Sequence, residues 1–179
     1  CLIQGVQARY IAHTQGGQTT HGLGEDTGIR ISGRGNTIRE CEIAFSAGEG
    51  VFLAGENNAV VNCWIHDIDY MGCYASPVTM AGTHDLLSHN TISDAGRDCV
   101  KVGGIDDRIE YNDISRAGRI CNDLGLIYAA GHDGENTEIA YNWVHDVQTH
   151  HGMGMGIYLD NFCRNYLVYH NVVWGVQKG

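Results

Sequence analysis

Six segments of the chain repeat one alternation of apolar and polar residues: NTIRECEI, NAVVNCWI, HDLLSHNTI, DRIEYNDI, TEIAYNWV and YLVYHNVV. Aligned, they give an apolar column of Ile38, Val60, Leu87, Ile109, Ile139 and Val168. Five residues later comes a second column of Ile43, Ile65, Ile92, Ile114, Val144 and Val173. The N-terminal IQGVQA adds Ile3 and Ala8 to these columns. Between them lies a position held by Val6, Cys41, Cys63, Asn90, Asn112, Asn142 and Asn171, spaced by 35, 22, 27, 22, 30 and 29 residues. The unit is therefore 22 residues, and the excess is inserted loop. Upstream of the first column a further strand repeats as GIRIS, GVFLA, PVTMA, CVKVG, GLIYAA and GIYLD. Its alternate members Ile29, Val51, Val78, Val100, Ile127 and Ile157 are expected to point inward.

Apolar residues that alternate by two and stop at Gly, Asn or Asp predict short strands, since a helix would show spacings of three and four. Strands this short cannot bury a face alone, but stacked in parallel about 4.8 Å apart they share one core. The expected architecture is an all-β solenoid of about six to seven coils, one domain over residues 1–179. The opening at Cys1 and the strand-like ending NVVWGVQKG suggest a piece of a longer chain. Stacked asparagine amides are expected to bond along a ladder at a turn whose left-handed backbone Asn tolerates.

Composition narrows the partners. The formal charge is −10 with two lysines, Lys101 and Lys178, which argues against nucleic acid and points to a neutral glycan rather than a strongly anionic one. The 25 glycines against the single Pro77 fit many tight turns. No apolar run reaches the length of a bilayer-crossing helix. Seven cysteines without paired CxxC spacing predict neither a disulfide framework nor a zinc site. Cys41 and Cys63 are expected as small buried hydrophobes, and Cys73, Cys99, Cys121 and Cys163 have no predicted role.

The coil pattern and the column Asn90, Asn112, Asn142 and Asn171 resemble right-handed parallel β-helix proteins of the pectate-lyase-like superfamily, over nearly the whole chain. That resemblance implies an extracellular or periplasmic protein. It leaves activity open, because the fold hosts lyases, hydrolases, esterases, epimerases and adhesins.

In the upstream strand the outward column reads Arg30, Phe52, Thr79, Lys101, Tyr128 and Tyr158, beside a column of mostly small residues ending at Asp160. This pattern predicts a groove in which Phe52, Tyr128 and Tyr158 offer faces to sugar rings, or else ordinary cross-strand pairs. The long insertions place the groove near coils five and six. There DLGLIY and GIYLDN are similar to a motif of β-helix glycosidases of the fucosidase and xylanase kind. By that resemblance Asp123 and Asp160 are the catalytic carboxylates, one donating a proton and the other attacking or activating water. The sequence departs from the motif at Leu126 and Asn161. Asp133 and Asp146 are nearby substitutes, and capping of turns is the alternative role for Asp123 and Asp160. Substrate contacts are expected from Lys101, Tyr128, Tyr158, His132, His150 and His151.

Two other readings follow from the same residues. A polysaccharide lyase would recruit Lys101 and Arg108, and a non-catalytic adhesin would use only the aromatic column. No cofactor is predicted. Copper at His145, His150, His151, Met153 and Met155 has only one loop behind it, so no metal is assigned. His66–Asp67 and His145–Asp146 recur at one coil position, which favours a structural role, and neighbouring strand residues point to opposite faces, so such a pair forms no catalytic dyad unless the strand has already ended.

Overall fold

A computed structural model describes residues 1–12, 27–72, 74–150 and 152–177. The described residues form twenty strands and no helix. They lie in three parallel sheets of seven, seven and six strands; the first six coils each contribute one strand to each sheet in turn, and the seventh adds one to the first and one to the second. The third coil is representative: Ala59–Val61 enters the first sheet, Trp64–Ile68 the second and Val78–Met80 the third.

The register follows the sequence columns residue for residue. Ile3, Ile38, Val60, Leu87, Ile109, Ile139 and Val168 pair in succession along the first sheet. Ala8, Ile43, Ile65, Ile92, Ile114, Val144 and Val173 do so along the second. Ile29, Val51, Val78, Val100, Ile127 and Ile157 do so along the third. From Ile38 to Val144 these side chains are fully or nearly fully buried, forming one continuous core along the axis. A one-residue slip would turn every such residue outward, so burial itself holds the register.

The corner between the first and second sheets carries the asparagine ladder. The Nδ2 of Asn90, Asn112 and Asn142 donates to Oδ1 of Asn112, Asn142 and Asn171 at 3.0 Å, and the backbone N–H of the same residue donates to that oxygen at 2.9–3.0 Å. Cys63 extends the column: its N–H donates to Asn90 Oδ1 at 2.8 Å, while its thiol reaches the Val61 and Ile38 carbonyls at 3.4 and 3.8 Å. Asn90 Nδ2 bonds the equivalent pair, Ser88 and Val60. The buried thiol thus occupies the donor slot of an amide, a more specific role than that of a small hydrophobe. The left-handed step falls one residue earlier than expected. Gly5, Glu40, Asn62, His89, Tyr111, Tyr141 and His170 have φ between 52° and 65°, and this turn lets the next side chain face inward.

A second ladder runs along the corner between the third and first sheets. Asn36 bonds Asn58, Asn58 bonds Asp85, the Asp85 N–H bonds Asp107 Oδ1 at 2.8 Å, and the Asp107 N–H bonds the Thr137 hydroxyl at 3.2 Å. Asn58 Nδ2 also donates to the Gly33 carbonyl at 3.0 Å, beside Gly55. In the next two coils Asp85 Oδ2 lies beside Gly82 and the Gly55 carbonyl, and Asp107 Oδ2 beside Gly104 and the Gly82 carbonyl. Both buried oxygens lack a hydrogen-bond donor, and each has a backbone carbonyl of the preceding coil beside it. A carboxylic acid fits there and a carboxylate does not. Burial accordingly pushes Asp85 up and Asp107 up to about 7.

A folded-state value raised from 3.8 means that the folded chain binds more protons, so this contribution to stability is complete below pH 4, falls towards pH 7 and then stays lost. Asp107→Asn supplies the missing N–H donor. It is expected to raise the melting temperature at pH 8 and to flatten the decline between pH 4 and 7, as followed by circular dichroism; a lower melting temperature at pH 8 would contradict the protonated-acid account.

Candidate functional site

The outward column of the third sheet is continuous in the structure, pairing Arg30, Phe52, Thr79, Lys101, Tyr128 and Tyr158. Its chemistry concentrates on the strands of coils four to six, Val100–Val102, Leu124–Ala130 and Gly154–Asp160. Beneath it lies an ion pair that the pattern of columns does not reveal. Arg97 Nη1 bonds both carboxylate oxygens of Asp98 at 2.9 and 2.7 Å, and Nη2 donates to the Asp123 carbonyl at 2.8 Å. The guanidinium lies between the rings of Tyr74 and Tyr128, 4.3 and 4.7 Å from their centroids. Asp98 is fully buried, and burial outweighs Arg97 and Lys101 to push it up to about 7. A pair this enclosed adds little net stability, but removing one partner strands a charge, so it fixes its surroundings.

Gly125 connects this layer to the two predicted aspartates. A Cβ there would lie 2.5 Å from the Ile127 carbonyl oxygen and 2.7 Å from Tyr158 Cβ, so glycine lets Tyr158 of the next coil pack across the strand. Asp123 stands two residues before Gly125, exposed, with φ 57° and its carbonyl held by Arg97. Asp160 stands two residues after Tyr158, pairs with Ala130, and accepts the Tyr128 hydroxyl on Oδ2 at 3.0 Å and the Asn161 N–H on Oδ1 at 2.8 Å. Asp160 thus follows Tyr158 on one strand, and Asp123 precedes the glycine against which Tyr158 packs. The Tyr158 phenol is raised by its surroundings, then by a hydrogen bond and charge from Asp160, and also by charge from Asp123. The Asn161 bond is a turn cap, so Asp160 performs the structural role as well.

The aromatic row is not uniformly open. Tyr128 is 8% exposed, with Arg97 over one face and Tyr158 edge-on at 5.5 Å; its hydroxyl is pushed up to about 12, by burial first and by Asp160 second. Phe52 is buried under Arg30 at 4.7 Å. Accessible ring surface comes instead from Tyr158 and Tyr74, the latter 38% exposed. Lys101 reaches the Tyr74 carbonyl at 3.5 Å. His132 Nε2 lies 3.1 Å from the Gly104 carbonyl oxygen, His150 is exposed ahead of the strand Gly154–Asp160, and His151 and Cys73 lie outside the described residues.

The alternative residues are engaged elsewhere. Asp133 takes Arg164 at 2.6 Å and Asn165 at 2.9 Å, and these partners hold it at about 2. Asp146 bonds His145 Nδ1 at 2.8 Å on the second sheet, just as Asp67 bonds His66. Those adjacent pairs meet because Asp67 and Asp146 take φ of 51° and 59°, which interrupts the alternation of strand faces at that point. Arg108 lies on the first sheet against Glu110, away from Lys101. The six described cysteines are free, and among the described residues no group of three or more His, Cys, Asp and Glu side chains is arranged to hold a metal.

One further acid went unnoticed in the sequence. Glu49 is buried on the third sheet, accepts the hydroxyls of Thr27 and Thr79 at 3.1 and 3.0 Å, and is pushed up to about 7 by burial against the pull of those bonds, Lys101 and Arg30. Glu49 and Asp98 both precede an inward valine by two residues. That shared offset in GEGV and RDCV was the available signal.

Three parallel sheets wound in successive coils define a right-handed parallel β-helix. The chain belongs to the family described as the right handed beta helix region, whose model matches residues 24–179. No curated protein and no solved structure matches the chain.

Gly125→Ala would drive the new methyl into Tyr158 and the Ile127 carbonyl. It is expected to destabilise the fold by about 1–3 kcal/mol, as overpacking does, and to raise the accessibility of Tyr158 to nitration; an unchanged melting temperature and nitration rate would show that the close approach is dispensable.

Proposed function

We propose that this β-helix acts on carbohydrate at the face of the third sheet over coils four to six, as a glycoside hydrolase of a neutral or weakly charged polysaccharide. What supports the reading is that Asp160 follows Tyr158 by two residues while Asp123 precedes Gly125, against which Tyr158 packs. Glycoside hydrolysis uses two carboxyl groups bordering the scissile bond, one as acid and one as nucleophile or base. Asp160, oriented by the Tyr128 hydroxyl and the Asn161 N–H, suits the nucleophile or base. Asp123, exposed and with its backbone held by Arg97, suits the proton donor. Tyr158 and Tyr74 supply ring surface, and Lys101 and His150 supply polar contacts at the rim. A polymer-degrading enzyme of this kind meets its substrate outside the cytoplasm, so an extracellular or periplasmic location is part of the proposal.

The turn cap at Asp160 favours a second reading, in which the same face binds glycan without cleaving it. The lyase reading has less support, because Arg108 lies on another sheet.

Release of reducing ends from soluble xylan, mixed-linkage β-glucan and dextran decides between them. Asp160→Asn and Asp123→Asn are each expected to lower the rate by at least about a hundredfold with unchanged melting, and Tyr158→Ala to weaken binding. Binding without cleavage by the wild type would leave the lectin-like reading. Cleavage that survives both substitutions would remove the two aspartates from the mechanism.

A further inference from the structure

The outward face of the second sheet carries a different aromatic constellation. Trp64, Thr91, Asp113 and Trp143 pair in succession across four coils, all pointing away from the core. The two tryptophans are 50% and 58% exposed, far more than bulky aromatics with a packing role. Three strand spacings separate them, about 14 Å along the helix axis. Between them the floor is the short polar pair Thr91 and Asp113. One face of Trp64 rests on His66, with centroids 3.9 Å apart, which holds the indole in place while half of the residue stays exposed.

Along one side of this trough stands a wall of stacked rings. His89, Tyr111, Tyr141 and His170 follow one another at 5.0–5.1 Å, each in the left-handed step before a ladder asparagine. His89, Tyr111 and Tyr141 of the wall, Thr91 and Asp113 of the floor, and Trp143 line an open cleft of about 440 Å³ that reaches Asn62; Trp64 lies outside it, at the end of the same row. Asp113, which lines the cleft, is held by His145 Nε2 on Oδ1 at 3.0 Å. Apolar ring surface alternates with Thr, Asn and Asp groups at the spacing of the coils. A purely apolar partner would leave those polar groups unmatched, and an anionic one would face Asp113. A chain of rings with an apolar face and a hydroxyl-bearing edge satisfies both surfaces.

We propose that this face is a carbohydrate-binding surface, taking an extended neutral glycan laid along the helix axis between Trp64 and Trp143. It shares the ligand class of the reading above but not its site, and it would hold a polymer while the third sheet works on it.

Isothermal titration with xylohexaose and cellohexaose as probes tests the proposal. Trp143→Ala and Trp64→Ala are each expected to weaken binding of the preferred hexasaccharide at least about tenfold, equivalent to roughly 1.4 kcal/mol. Both should leave hydrolysis of short soluble substrates unchanged. Thr91→Arg, which fills the floor without touching an indole, is expected to block binding as well. Wild-type protein that binds neither probe, or three variants that all bind like the wild type, would overturn it. If Tyr158→Ala alone removes binding, the glycan sits only on the third sheet and this surface is not a site. If the tryptophan variants lose binding while Asp160→Asn still cleaves, this surface stands and the catalytic assignment falls.

Discussion

One interaction recurs at each step from the fourth coil to the seventh and makes the rest possible: a side-chain carbonyl oxygen that accepts both the backbone N–H and the side-chain amide of the residue one coil before it. The two bonds converge on Asn112 Oδ1 from Asn90 and on Asn142 Oδ1 from Asn112, all buried at a corner where water cannot serve. A strand-to-strand corner must bend away from the sheet ladders, so its backbone groups need another partner. The asparagine column supplies it and fixes the rotation of each coil over the last. Apolar columns add the energy of burial, while the ladder adds direction.

The site depends on that directional stacking. Tyr158 packs over Gly125 only because the sixth coil sits in register on the fifth, and Tyr128 meets Asp160 for the same reason. The Arg97–Asp98 pair has another function. It is buried beneath the outward face of the third sheet, yet it holds the carbonyl of Asp123 and clamps Tyr128. The geometry of the carboxylates is thus set from behind, by groups in the fourth coil.

Much of this was legible in the chain because a solenoid writes its register as a repeat. The three apolar columns and the row from Arg30 to Tyr158 needed only alignment to recover, since stacking is one-dimensional and each coil touches its neighbours alone. What escaped was whatever the repeat does not conserve. The second ladder changes from Asn36 and Asn58 to Asp85, Asp107 and Thr137, so its shared geometry is hidden behind changing chemistry. Arg97 and Arg30 cover Tyr128 and Phe52, which cannot be read from a column that reports direction but not what folds over it. The His–Asp contacts at His66 and His145 depend on a left-handed step that alternation by two does not anticipate.

The account comes down to whether Asp123, Tyr158 and Asp160 surround a sugar. A crystal structure of the Asp160→Asn protein soaked with its preferred neutral hexasaccharide tests this directly. The account predicts a sugar ring against Tyr158, with the side chains at positions 123 and 160 roughly 5–10 Å apart across a glycosidic oxygen. A hexasaccharide found only between Trp64 and Trp143, or side chains at 123 and 160 facing away from an empty third sheet, would contradict it.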